Sequence, residues 1–537
     1  MIRAARIALA VLAIGLVLDH VAGIAHAKKT GLSDYGQDLE LHDDWALEID
    51  GYFRLRGDVL YNLDLDRGPT PSGALFFAVP LDDPDGQTLY QADMRLRTDL
   101  AAYAPGGSVA VKMRLDTLDN LTLGSTPDGI PSGSTTQRAL EAPFRIRRLY
   151  AEVLTPIGLI AAGRMGNHWG LGMLANGGDC LDCDSGDSSD RIAFITPMAG
   201  HIWALAYDFS SSGPIATRAS GFRGVDLLPS DDVRSVVFAV MQWDGEEVRA
   251  RRHRAGRHTL EYGAYGAYRW QENDVPSWYL PVGRPALSSG LVSLDAGQVV
   301  PRGFSGVVAD VWARFQTSDV RIELEAAMIW ARYDEASVTP GVRFRDTLES
   351  LQFGAVLETD FGDLLGAFSA GLDGGFASGD PTPGFGAFPR ADQRAAQPGD
   401  LDGPQASIPY DTRADNFRFH PDYRIDRILF REILGTVTDA FYFRPHARLR
   451  LIDFEGGQLT AHLFAVASFA VEPASTPGSD RGLGIEVDPS LVYTSPDGFL
   501  AALEYGVLFP LAGLDNIALD LRAQPAQLLR LRLTYAF

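Results

Sequence analysis

The chain has 537 residues, a formal net charge of −22 and 46% hydrophobic residues. A soluble protein of this length would divide into several domains, because single cores stop growing beyond about 250–300 residues. The acidic balance argues against nucleic acid as a partner, and no apolar run of about 18 residues follows residue 27, which excludes a helical membrane protein.

The chain opens with Arg3 and Arg6, an apolar run from Ile7 to Leu18 and the small-residue site Ala25-His26-Ala27. These are the parts of a cleavable signal peptide, so residues 1–27 are expected to be removed and the mature chain to start at Lys28. No cysteine follows the site, which argues against a lipid anchor. Residues 28–46 read as a short periplasmic segment, and 47–537 as the barrel described next.

From 47 to 63, Leu47, Ile49, Phe53, Leu55, Val59, Tyr61 and Leu63 share one parity, while Glu48, Asp50, Arg54, Arg56, Asp58 and Asn62 share the other. Side chains alternate across a strand, so one face suits lipid and the other water. The same reading gives strands at 88–104, 107–119, 143–154, 158–166, 190–198, 200–210, 232–244 and 257–272. Nine more follow at 305–318, 319–333, 348–361, 363–377, 438–452, 458–471, 481–494, 498–509 and 526–537. The expected fold is all-β: a single transmembrane antiparallel barrel of about 18 strands, an even number as in single-chain bacterial barrels.

Connection lengths supply an independent check, since such barrels alternate short periplasmic turns with long extracellular loops. Short turns are expected at Pro105-Gly106, Thr155-Pro156-Ile157, Ala199, Thr317-Ser318, Gly362 and Ser495-Pro496-Asp497. Long loops at 64–87, 120–142, 167–189, 273–304 and 378–437 fall on the other side. The Arg-rich stretch 245–256 is longer than its peers. On the last strand Leu529, Leu531, Leu533, Tyr535 and Phe537 point outward, which resembles the C-terminal signature read by the barrel-assembly machinery.

The inward parity carries the charge. Arg530 and Arg532 close onto Arg54 and Arg56, followed by Arg95, Arg97, Lys112 and Arg114. This predicts a basic wall, with Glu323, Glu325, Glu358 and Asp360 roughly opposite and Glu486 and Asp488 further round. A transverse field of this kind orients anionic or dipolar solutes; the alternative is a set of solvated charges neutralised by Asp93, Asp99 and Asp116. Lysine occurs only at 28, 29 and 112, and arginine's planar fork suits carboxylates and phosphates.

Gly163-Arg164-Met165-Gly166-Asn167-His168-Trp169-Gly170, then Asn176-Gly177-Gly178 and Asp190-Arg191-Ile192, resemble the corresponding stretch of alginate-export-type porins. In those proteins inward loops and arginines help form an anionic-polymer conduit, which implies pore-lining roles for Arg164 and Arg191. Together with His420–Glu432 in the longest loop, the stretch resembles an uncharacterised family of large outer-membrane barrels related to the alginate exporter. That resemblance bears on fold more than on function. Ile425, Ile428 and Leu429 share a helical face, so 423–434 reads as a short amphipathic helix and the loop 378–437 as a lid or plug, or as a cap on the rim.

Cys180 and Cys183 stand as C-x-x-C in an exported chain, where a local disulfide or two free thiols fit better than a redox motif. Asp182, Asp184, Asp187 and Asp190 are spaced closely enough to hold Ca²⁺ but lack the glutamate of an EF-hand; an acidic solvated loop is the alternative. His168, His201, His420 and His446 have no metal-ligand spacing, and no nucleophile motif is present. Neither an enzyme nor a cofactor is expected. The expected partners are outer-membrane lipid and lipopolysaccharide, the assembly machinery, and an anionic or polar solute. The leading reading is an outer-membrane channel for such solutes, oligo- or polysaccharide among them; a general diffusion porin and a plugged structural barrel are the others.

Overall fold

A computed structural model describes residues 31–537 apart from 33, 40–42, 84–85, 127–137, 140–143, 214, 218–223, 276–298, 338–341, 365, 388–395, 403–405 and 407. The expected signal peptide lies outside the described residues. The first six wall strands are β1 (Ala46–Tyr61), β2 (Thr88–Tyr103), β3 (Val109–Thr122), β4 (Arg145–Thr155), β5 (Gly158–Gly166) and β6 (Ser188–Met198). Then come β7 (His201–Phe209), β8 (Arg234–Gln242), β9 (Thr259–Gln271), β10 (Phe304–Gln316), β11 (Val320–Tyr333) and β12 (Leu348–Gly362). The last are β13 (Phe368–Ala377), β14 (Ala440–Phe454), β15 (Gly457–Ala470), β16 (Gly482–Thr494), β17 (Phe499–Pro510) and β18 (Ala526–Ala536).

All pair antiparallel with their sequence neighbours in one 18-stranded sheet. The sheet closes on itself: β1 pairs with β2 on one side and with β18 on the other, from Tyr52↔Ala536 to Tyr61↔Gln527. The Gly51 and Phe537 backbones exchange two hydrogen bonds of 3.0 Å, so the final aromatic residue completes the seam. Closure removes every edge and satisfies the backbone within the wall, which is what lets strands cross a bilayer.

Burial follows the parity. Phe53, Val59, Tyr61, Leu529, Leu531, Tyr535 and Phe537 are exposed on the outer wall, while Arg54, Arg56, Arg530 and Thr534 are buried inside. Leu63 departs from the expected outward set: β1 ends at Tyr61, and Leu63 packs into a buried cluster instead. Every second connection is short, and the Arg-rich exception forms a helix, α1 (Glu246–Arg254), on that same end.

The lumen is filled to an extent that alternation does not announce. Two apolar clusters lie inside it, one built around Phe417, Phe419, Ile425, Ile428, Leu429 and Phe430, the other around Trp169, Tyr150, Tyr265 and Trp312. The N-terminal segment also enters: Leu32 and Tyr35 are buried, the Tyr35 hydroxyl donates to the Gly166 carbonyl at 2.7 Å, and Asp38 pairs with Lys112 at 2.6 Å.

Candidate functional site

Two long loops turn inward, and the charged walls hold them. The loop between β5 and β6 leaves the strand at Gly166 and folds back across the lumen. Its stem meets the acidic face: Glu325 accepts the backbone N–H groups of Leu171 at 2.5 Å, Leu174 at 3.1 Å and Met173 at 3.4 Å. The Trp169 indole donates to Asp310 at 2.9 Å. Gly170 has a φ of +55°, and a Cβ there would come within 2.6 Å of Glu325 Oε2, so the close approach requires glycine.

The tip of the same loop meets the basic wall. Arg97 donates to the Gly178 carbonyl at 2.6 Å, Arg54 to the Leu181 and Cys183 carbonyls at 3.2 Å each, and Arg95 to the Cys183 carbonyl at 2.6 Å. Arg114 and Arg148 pair with Asp179. Strand register explains why something must lie there. Arg54 is directly opposite Arg95, and Arg56 directly opposite Arg532. Like charges facing each other across strands are destabilising, and the loop supplies the carbonyls and carboxylates that offset them.

Asp184 is ion-paired with Arg54 at 2.8 Å, Arg56 at 3.0 Å and Arg424 at 2.6 Å. Asp182 pairs with Arg431 at 2.6 Å and with Arg56 and Arg424 at 3.2 Å. The candidate Ca²⁺ set, weighed earlier against an acidic solvated loop, is therefore corrected. Guanidinium groups occupy Asp182 and Asp184, Asp187 lies 3.5 Å from His420, and Asp190 pairs with Arg164 on another face of the wall. Cys180 and Cys183 form a disulfide at this tip.

Arg424 and Arg431 belong to the second inward loop, between β13 and β14. There Glu486 accepts the N–H groups of Arg427, Ile428 and Leu429 at 2.9, 2.8 and 3.0 Å, and Asp426 accepts that of Phe430 at 2.9 Å. Here the chain makes a single π-helical turn, Leu429–Ile433, rather than the amphipathic helix expected over 423–434. Ile425, Ile428, Leu429, Phe430, Ile433 and Leu434 are all buried; inside a barrel no solvent face is needed. The loops also bind each other, since Asp422 accepts the Asp184 N–H at 2.9 Å and the Ser185 N–H at 3.0 Å.

The remaining predicted residues divide. Arg530 is bound to Asp58 at 2.6 Å and Glu432 at 3.0 Å, and Arg532 to Glu504 at 3.4 Å. Lys112 reaches Glu152 at 2.9 Å, and Arg191 takes both Asp208 oxygens at 2.6 and 2.8 Å. Arg321 neutralises Glu323 at 2.6 Å, Glu358 at 2.7 Å and Asp360 at 2.9 Å. Arg164 is corrected: it shares the outward parity of Ile160 and forms a half-exposed pair with Asp190 at 2.7 Å on the outer wall, not in the pore.

Sequence reading missed Arg148, Asp179, Arg424, Arg431 and the acceptors Asp310 and Asp426. Only the inward parity of Arg148 and Asp310 could have flagged any of them. It also missed a polar lumenal cavity of about 440 Å³, lined by Arg321, Asp373, Arg444, His446, Arg448, His462 and Phe464. The Arg444 guanidinium lies 4.4 Å from the centre of the Phe464 ring and 3.1 Å from Asp373.

No family model and no curated protein matches this chain. Among solved structures it is similar to OpdK of Pseudomonas aeruginosa with vanillate, at 10% identity over 91% of this chain and 98% of that one, TM-score 0.45. An anion-selective porin from Comamonas acidovorans matches at 9% identity over 92% of this chain and 100% of that one, TM-score 0.37. A loop-deletion mutant of OmpT, an outer membrane protein of Vibrio cholerae, matches at 9% identity over 92% and 100%, TM-score 0.37.

Proposed function

We propose that this protein is a channel of a Gram-negative outer membrane, passing small anionic or polar solutes beside its two inward loops. The closed wall with an apolar exterior, short turns at one end and long loops at the other supports the membrane assignment. In that setting the outer wall contacts lipid and lipopolysaccharide, and the last strand serves recognition by the assembly machinery.

The observation that carries the reading is the lumenal cavity of about 440 Å³ left beside the loops, lined by Arg321, Arg444, Arg448, His446 and His462 together with Glu358, Asp360 and Asp373. Small-ligand sites span about 300–1,000 Å³, so the cavity suits a small solute better than a polymer. Passage of an oligo- or polysaccharide then requires the loops to move aside.

A plugged barrel is the second reading, favoured by Arg54, Arg95 and Arg530 being only 0%, 0% and 1% exposed. Planar-bilayer recording in a salt gradient separates the two. The channel reading expects steady conductance in the native protein with a reversal potential favouring anions. A silent native protein that conducts only after deletion of 423–434 would replace it with the plug.

A further inference from the structure

At the long-loop end, in the connection between β7 and β8, Asp226, Asp231 and Asp232 converge. One carboxylate oxygen from each lies within 4.8 Å of the others. Asp231 is the informative member: it is 1% exposed, and neither of its carboxylate oxygens has a hydrogen-bond partner among the described residues. Two buried, unpartnered carboxylate oxygens are costly to keep, and no ion pair reaches any of the three aspartates among the described residues.

The neighbourhood fixes the backbone without satisfying the carboxylates. Ser212 Oγ and Gln271 Nε2 donate to the Asp231 carbonyl at 2.7 and 2.6 Å, and Asn273 donates to the Ser230 carbonyl at 3.0 Å. One oxygen of Asp226 accepts the Leu228 N–H at 2.8 Å and one of Asp232 the Ser212 N–H at 2.9 Å, leaving a second oxygen on each. Nearby Asp274 is held by Arg302.

We infer that Asp226, Asp231 and Asp232 form a divalent-cation site for Ca²⁺, tying the ribbon Ile215–Thr217/Gly224–Asp226 to the rim turn at 228–232. All donors are hard oxygens, and Ca²⁺ takes such ligands at about 2.3–2.6 Å, so any two of its ligands stand no more than about 5 Å apart, a limit that the three oxygens meet. Burial first, then the carboxylates of Asp226, Asp232 and Asp274, push the Asp231 carboxyl up to about 6, as expected where acids crowd without a counter-charge.

The test titrates CaCl₂ into the EDTA-stripped, detergent-folded full chain by calorimetry. A single site is expected, with Kd of about 10⁻⁴–10⁻³ M as in extracellular modules. Asp231→Asn and Asp226→Asn should each weaken it about ten-fold or more, because ligand charge sets the affinity. Gly213→Ala should do the same while keeping every charge, since its Cβ would fall 1.8 Å from Asp231 Oδ2. Retained heat-modifiable mobility on gels verifies that each variant still forms the barrel. Absence of binding in the native chain overturns the inference, as does unchanged affinity in folded Asp231→Asn or Asp226→Asn.

Discussion

The two inward loops are held by opposite chemistries at their turns. The turn of the second loop gives its N–H groups to an acid of the wall, Glu486, whereas the tip of the first gives its carbonyls and carboxylates to arginines, Arg54, Arg95, Arg97 and Arg114. A backbone that leaves water must have its polar groups met. Each wall of the barrel provides the complement of what its loop presents, so the lumenal charges are structural partners before they are selectivity elements.

That contrast can be broken from either side. The largest effect is expected from Glu486→Leu, which strips the acceptor from three buried amides at about 1–3 kcal/mol each. The second loop should leave the lumen, seen as a several-fold rise in conductance and new trypsin cleavage at Arg427 or Arg431, with the strand signal in circular dichroism unchanged. Glu486→Gln, which keeps one acceptor oxygen, should fall between.

Arg54→Gln with Arg95→Gln comes next. It frees the carbonyls of Leu181 and Cys183 and removes one cation from Asp184, and breaking a buried pair costs about 3–5 kcal/mol. Conductance should rise less than for Glu486→Leu, while the reversal potential moves toward cations because Asp182 and Asp184 lose compensation. A smaller change is expected from Cys180→Ser with Cys183→Ser, since the closed ring is short and constrains the unfolded chain little; the readout is noisier single-channel current at similar mean conductance. Arg164→Gln should alter neither conductance nor selectivity, because its half-exposed outer pair is worth about 0–1 kcal/mol. A selectivity shift there as large as for the Arg54/Arg95 variant would contradict its outward placement.

The wall was legible from the chain alone because a period of two runs along strands such as β1 and β18 and short connections alternate with long ones. Residues such as Phe53, Arg54, Leu529 and Arg530 carry that signal individually. The loops had no such period, so a lid or plug and a cap on the rim both stayed open for 378–437, and what each loop meets inside was hidden. Its trace lay in the wall: Arg54 against Arg95 and Arg56 against Arg532 are like pairs that an empty lumen would leave facing each other. The Asp-rich tip with Asp179, Asp182 and Asp184 is their complement, but from spacing alone, which shows no partners, Asp182 and Asp184 read only as part of an acidic solvated loop or a Ca²⁺ site. Arg164 went astray differently: the parity of Ile160 and Ala162 already pointed it outward, and the resemblance of its motif drew it into the pore.

Hydrogen exchange on the native, detergent-folded chain tests most directly whether the barrel walls hold both loops. The amides of Leu171 and Leu174, bonded to Glu325, and of Arg427, Ile428 and Leu429, bonded to Glu486, should be protected to the level of the wall strands. Exchange of these amides at the rate of open surface loops, with the strands still protected, would contradict it.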